Sequence, residues 1–274
     1  MQDRRTEAER QAKRLVGDRH GLSPFVFALF SVLLGVVAGF GAFFFRALIA
    51  LVHNLAFFGR FSIEYDTLQH TPASPWGIAV VLIPVVGALV VVFLVRNFAP
   101  EAKGHGVPEV MDAIYYKKSE IRPVVAVVKS LASAISIGTG GSVGREGPII
   151  QIAASFASTS GQLARASRWQ RATLVAAGGG AGIAATFNTP IGGALFAVEI
   201  LLHEVSARTL VPLALATTTA TFVGRSLFGN TPAFPIPALG VPSSETAGTL
   251  LAAVVLGGLM ALMSVVFIRA LYGA

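Results

Sequence analysis

Apolar residues run almost unbroken over residues 24–52, 76–99, 122–137, 172–200, 208–224 and 246–268, and polar residues collect between these runs. A helix needs roughly 20 apolar residues to cross a hydrocarbon core. Several of the runs are shorter than that, or are broken by Gly and Pro. Broken helices persist at membrane depth only where they are buried in protein or line a polar cavity. The pattern therefore predicts an all-α polytopic membrane protein with broken and reentrant helices.

Ser23-Pro24 opens a first helix to about His53, with Gly35, Gly39 and Gly41 placed for close helix contact. A polar loop over residues 54–75 leads to a second helix, Trp76 to Arg96. Gly104-His105-Gly106-Val107-Pro108 opens a short amphipathic helix to about Tyr116, and Pro123 starts another that dissolves into glycine near Gly138. Gly144-Arg145-Glu146-Gly147-Pro148 opens the next, to about Thr159, before a wet turn marked by Arg165, Arg168 and Arg171. Gly178-Gly179-Gly180 and Gly182 are expected to interrupt the following helix, and also read as a packing seam. Phe187-Asn188-Thr189-Pro190 starts one more helix, ending between Glu199 and Glu204. The organisation expected is a charged N-terminal segment (1–23), a membrane region (24–228), a proline-rich loop (229–245) and a final helical stretch (246–274).

Composition agrees. Charged residues make up 13% of the 274 residues, against about 25% in average soluble proteins, and the mean hydropathy is +0.70. The net charge of +7 would suggest nucleic acid in a soluble chain. Here the basic residues sit at helix ends, so nucleic acid is not expected and juxtamembrane topology is the better reading. Residues 3–19 hold Arg4, Arg5, Arg10, Lys13, Arg14 and Arg19 against Asp3, Glu7, Glu9 and Asp18, which predicts a cytoplasmic N-terminus. The chain has no cysteine, so disulfides and thiolate metal sites are excluded. No cofactor or metal is expected: His105 and Glu109 stand four residues apart, but two ligands do not make a metal site. No histidine lies beside a serine or carboxylate at a catalytic spacing, so the chain does not read as an enzyme.

Glu146 is the chemically telling residue. Apolar sequence flanks it, and a charge at bilayer depth costs several kcal/mol. Pro148 suits the first turn of a helix, so Glu146 falls at the electropositive end of a helix that starts inside the membrane, where anions bind. The plainer reading is a capping glutamate, or one paired with Arg145. The elements 104–108 and 144–148 share one design, glycines and a polar residue before a proline that opens a helix. Glycine leaves backbone amides uncovered, and two such tips aimed at one point form an anion site that holds an ion without trapping it.

These elements resemble those of the CLC family of chloride channels and proton-coupled chloride transporters. That family carries a G-S-G-I-P element, then G-K/R-E-G-P, then F-N-x-P with a terminal glutamate; this chain reads Gly104 to Pro108, Gly144 to Pro148, then Phe187-Asn188-Thr189-Pro190 with Glu199. The resemblance runs from about Pro24 to the C-terminus. It implies chloride or a similar anion as cargo, and a homodimer in the cell (inner) membrane with one pore per protomer. It implies that His105, Gly106, Val107, Arg145, Glu146 and Gly147 bind the anion, with Glu146 as a gate whose carboxylate mimics chloride until protonation removes it. The chain then corresponds to the first inverted repeat (24–228) and one helix of a second, and a C-terminal half is expected from elsewhere.

The chain departs from that pattern in the residues as well as in length. His105 stands where a serine is usual; its ring either donates to the anion or turns away and bonds backbone. Arg145 either draws anions in or anchors its loop. Ile200 falls where proton-coupled members carry an internal glutamate, which favours a passive channel over antiport and leaves Glu199 and Glu204 as the candidate proton path. A truncated half that inserts without conducting is the other reading.

Overall fold

The computed structural model describes residues 21–64, 72–203, 206–230 and 247–273. The expectations for the charged segment before Gly21, for Glu204 and for the proline-rich stretch 231–245 lie outside the described residues. The chain divides into two units, residues 1–233 and 234–274.

In the first unit α1 spans Pro24–Phe58, capped by the Ser23 hydroxyl and stopped at Gly59, whose φ of 63° is the left-handed conformation glycine tolerates. It runs five residues past the expected His53. A 3-10 turn, Gly77–Val81, leads into α2, Leu82–Phe98. The short α3 covers Val107–Tyr116 and α4 covers Pro123–Gly138, both opening on a proline in the first turn. Then follow α5 (Glu146–Leu163), α6 (Arg168–Phe187), α7 (Pro190–Phe196) with a π-helical extension Ala197–Leu202, and α8 (Ala207–Phe228). The second unit contributes α9, Ala247–Gly273.

The continuous apolar run 172–200 thus becomes two helices. Asn188 explains the break: it adopts φ 59° and closes α6, and Pro190 opens α7. The glycines 178–182, expected to interrupt their helix, do not. α6 is continuous, because intrahelical hydrogen bonds survive glycine when neighbours hold the backbone. A Cβ on Gly178 would stand 2.7 Å from the Ala153 carbonyl oxygen, and one on Gly180 2.5 Å from that of Gly193. The run is a packing seam on which α5 and α7 approach. α6 is accordingly the central helix, buried along most of its length. Gly35 and Gly39 similarly bring α1 onto α8, where their Cβ atoms would meet Thr219 and Val223 at 2.7 Å.

Four helices among the described residues are long and apolar enough to cross a membrane: Pro24–Phe58, Gly77–Phe98, Ala207–Phe228 and Gly248–Gly273. Pro123–Gly138 and Pro190–Leu202 are apolar but shorter. The protein is an all-α, multi-pass membrane protein, with broken helices packed around α6 as the hydrophobic pattern predicted.

Candidate functional site

The N-terminal tips of α3 and α5 touch. Gly106, at φ 113°, is placed so that a Cβ would lie 2.5 Å from the Gly147 carbonyl oxygen. A Cβ on Gly147 would press on the His105 carbonyl oxygen and lie 2.9 Å from both Cε1 and Nδ1 of the His105 ring. Only residues without a side chain permit this approach. Gly104, His105, Gly106, Val107 and Pro108 therefore meet Gly144, Arg145, Glu146, Gly147 and Pro148 in one place, although about 40 residues separate the two elements in sequence.

Glu146 is the first residue of α5 and is half-buried. Its carboxylate folds back over Gly144, where a Cβ would collide with Oε2. The acid thus lies at the electropositive end of its own helix. Arg145 is half-buried with its guanidinium 5.7 Å from the centre of the Phe187 ring. Glu199 is exposed on the π-helical turn. Glu204 lies outside the described residues. His203 places Nδ1 3.0 Å from the Tyr115 hydroxyl.

A cleft of about 770 Å³ opens beside these tips, lined among others by Val95, Gly104, His105, Lys129, Gly144 and Pro148. His105 faces it; Glu146, Gly106 and Val107 do not line it.

Three residues that sequence reading missed hold the loop before α3. Lys129 is buried, and its ammonium donates to the carbonyls of Ala102 (3.0 Å) and Gly104 (2.8 Å). The Gln151 amide donates to the Glu101 carbonyl at 3.0 Å. The Glu109 carboxylate accepts the Gly106 N–H at 2.7 Å, half of a capping box. Gly106, expected to offer its amide to an anion, thus has that amide engaged, because a glutamate at the third helical position reaches back to it. Arg122 adds a two-pronged ion pair to Glu101, at 2.7 and 2.8 Å. Loop carbonyls are held by donors, which keeps their negative ends occupied near a site built from amides. Lys129 carried a legible signal: like Glu146, it is a charge inside an apolar run.

The family model for the voltage-gated chloride channel matches residues 87–274. The chain is 30% identical over 257 residues to the H(+)/Cl(-) exchange transporter ClcA of Vibrio cholerae, covering 89% of this chain and 51% of that one. It is 30% identical over 255 residues to the chloride channel protein CLC-f of Arabidopsis thaliana, covering 88% and 31%. The chain thus spans about half or less of the length of these relatives. Its fold is similar to that of a slow cyanobacterial Cl-/H+ antiporter, with a TM-score of 0.73 at 24% identity over 92% of this chain and 57% of the other. A CLC-type fluoride/proton antiporter has a TM-score of 0.66 at 23% identity, over 87% of this chain and 56% of its own. With more than half its residues matched by the family model, the chain belongs to the voltage-gated chloride channel (CLC) family.

Proposed function

We propose that this protein takes part in passive passage of chloride or a similar anion across a membrane, gated by Glu146. The observation that carries the reading is the contact between the α3 and α5 tips at Gly106 and Gly147. It gathers the first-turn amides of two helices, that of Gly106 excepted because Glu109 holds it, and one carboxylate at a single place. A carboxylate and a halide compete for the same helix-end amides. Protonation removes the charge of the competitor and frees the amides for the anion. Residues 104–108 and 144–148 form the site, with Arg145 raising the local positive potential.

Proton coupling is weak or absent in this reading. Ile200 carries no titratable group at the inner position, and Glu199 is exposed on the π-helical turn. The names of the bacterial relatives, which are exchange transporters, favour the rival reading of antiport. The functional unit is a homodimer in the cell membrane with the N-terminus cytoplasmic, and a second set of helices covers the open cleft beside His105. The role is transport, with no catalysis.

Chloride efflux from proteoliposomes tests the proposal, with proton movement recorded alongside. Glu146→Gln, which cannot ionise, is expected to raise efflux or abolish its pH dependence, with no stoichiometric proton flux in either protein. Unchanged flux and unchanged pH response in Glu146→Gln refute the gate. Wild-type protein that moves no chloride favours a non-conducting interaction module.

A further inference from the structure

The loop between α4 and α5, residues 139–145, rests against one face of α1. A Cβ on Gly138, the last residue of α4, would stand 2.7 Å from Val52 Cγ1 and 3.0 Å from the Ile49 carbonyl oxygen. One on Gly140, at φ 92°, would stand 3.3 Å from Cζ of Phe57. Ile49, Val52, His53 and Phe57 recur at the spacing that places residues on one helix face. His53 therefore sits between the two contacts. Its ring packs on that of Phe57, with centroids 4.8 Å apart, and hydrogen-bonds to the Gly138 backbone.

The loop leads straight to the acid. The Gly141 N–H donates to the Ser136 carbonyl and the Val143 N–H to the Gly141 carbonyl, both at 2.8 Å, so the loop is a tight turn built on the end of α4. Gly144 follows, and the Glu146 carboxylate folds back over it. Where that carboxylate rests thus depends on where the loop is held. The last carbonyls of a helix lack intrahelical partners and form its negative end, which favours a cation. A neutral imidazole brings one N–H to this place; an imidazolium brings two and a charge. The Phe57 face favours the charged ring as well. His53 lies 29 residues beyond Pro24 in α1, roughly 44 Å along the axis, which exceeds a hydrocarbon core of about 30 Å. Protons therefore reach it from the aqueous phase on that side. The charged groups around it are Arg46 on α1, Arg60 and Glu64 just past α1, Arg145 and Glu146 at the opening of α5, and Arg225 on α8. α4 carries no charge after Lys129, more than two turns before Gly138, and α6 carries its arginines at its far end.

We propose that His53, backed by Phe57, is a positioning residue for the loop that delivers Glu146, and that protonation of its ring tightens the hold. The step from loop to gate rests on the transport reading above; the hold on the loop does not. Acid on that side acts on the gate twice, in opposite senses. It neutralises the Glu146 carboxylate, and it fixes Gly144 beneath it.

Hydrogen–deuterium exchange of the protein in lipid nanodiscs reads the hold directly. The amides of residues 139–145, corrected for the intrinsic pH dependence of exchange, are compared one unit above and one unit below the ordinary histidine value of about 6.5. In wild type they are expected to exchange more slowly at the acid value. His53→Gln keeps a donor but neither the charge nor the stack, so its protection should not differ between the two. His53→Phe keeps the stack without the donor. It should exchange about tenfold faster than wild type in acid, the factor for losing one charge-assisted hydrogen bond. Each is also measured in Glu146→Gln, which removes the titrating carboxylate beside the loop. Equal protection in wild type and both variants, or wild-type protection that does not change with pH, overturns the proposal. Chloride efflux then reads the gate. His53→Gln should raise efflux in acid, and add nothing in Glu146→Gln; an equal rise in both backgrounds overturns the link to the gate. A His53-dependent change in exchange, in a protein whose flux ignores Glu146→Gln, keeps the hold and refutes the gate.

Discussion

Gly106 and Gly147 bring two broken helices into backbone contact. A side chain on Gly106 would meet the Gly147 carbonyl carbon at 3.0 Å and the Gln151 Cβ at 3.3 Å, and its φ of 113° already excludes most residues. Gly106→Ala is expected to lower the unfolding free energy by about 2–4 kcal/mol, combining backbone strain with overpacking, and to abolish anion efflux by parting the tips. Gly41→Ala is the control. Gly41 lies inside α1, and a Cβ added there would meet nothing within 4 Å, so alanine should stabilise by about 0.5–1 kcal/mol. Melting curves and efflux on the same preparations check both.

Lys129 is the second lever. Its ammonium satisfies two carbonyls that no other donor among the described residues is seen to reach. Lys129→Met keeps the length and the burial but leaves both oxygens without a partner, at about 1–3 kcal/mol for each buried group. Relief of burying a charge offsets part of that. The expected net result is a lower melting midpoint and a weakened chloride response, because the loop carrying His105 is no longer held. Wild-type stability and chloride response in Lys129→Met would show that the clamp is dispensable.

The Glu101–Arg122 pair predicts a pH signature. Glu101 lies between the spanning helices, and the Arg122 hydrogen bonds hold its carboxyl below the ordinary carboxylate value. A depressed folded value stabilises above the ordinary range and is lost as pH falls through the folded one. Wild type should therefore melt above Arg122→Gln at neutral pH, and the gap should close as pH drops below about 4. The pair is substantially exposed, so the gap is small and shrinks in high salt. A gap that stays constant from neutral to acid pH would refute the pairing.

Much of this fold was legible because bilayer burial makes long apolar runs unambiguous. The helix starts at Pro24, Pro123 and Pro190 were readable from proline chemistry alone. What misled was glycine. At 178–182 it marks contact between helices, and nothing local in the sequence separates that use from a helix break; the partners Ala153 and Gly193 decide it. At 106 glycine was read as an open amide, and the Glu109 carboxylate that takes the amide sits three residues on. The meeting of 104–108 with 144–148 was anticipated from their shared design, but the clamp from Lys129 and Gln151 depends on tertiary packing and had no motif.

His105 gives the most direct probe of the site. Its ring packs against Gly147, with Cε1 and Nδ1 both 2.9 Å from where a Cβ would stand there, and it faces the cleft. The imidazole thus packs at the tip of α5. A neutral imidazole presents one N–H, which in the proposed reading is offered to the anion. His105→Leu fills similar space without a donor, and His105→Asn restores one. Half-saturating chloride for efflux should rise about tenfold in His105→Leu, as expected for one hydrogen bond to a charged group, with most of the loss recovered in His105→Asn. Equal half-saturation in His105→Leu and wild type would reduce the ring to a packing role and leave the anion to backbone amides alone.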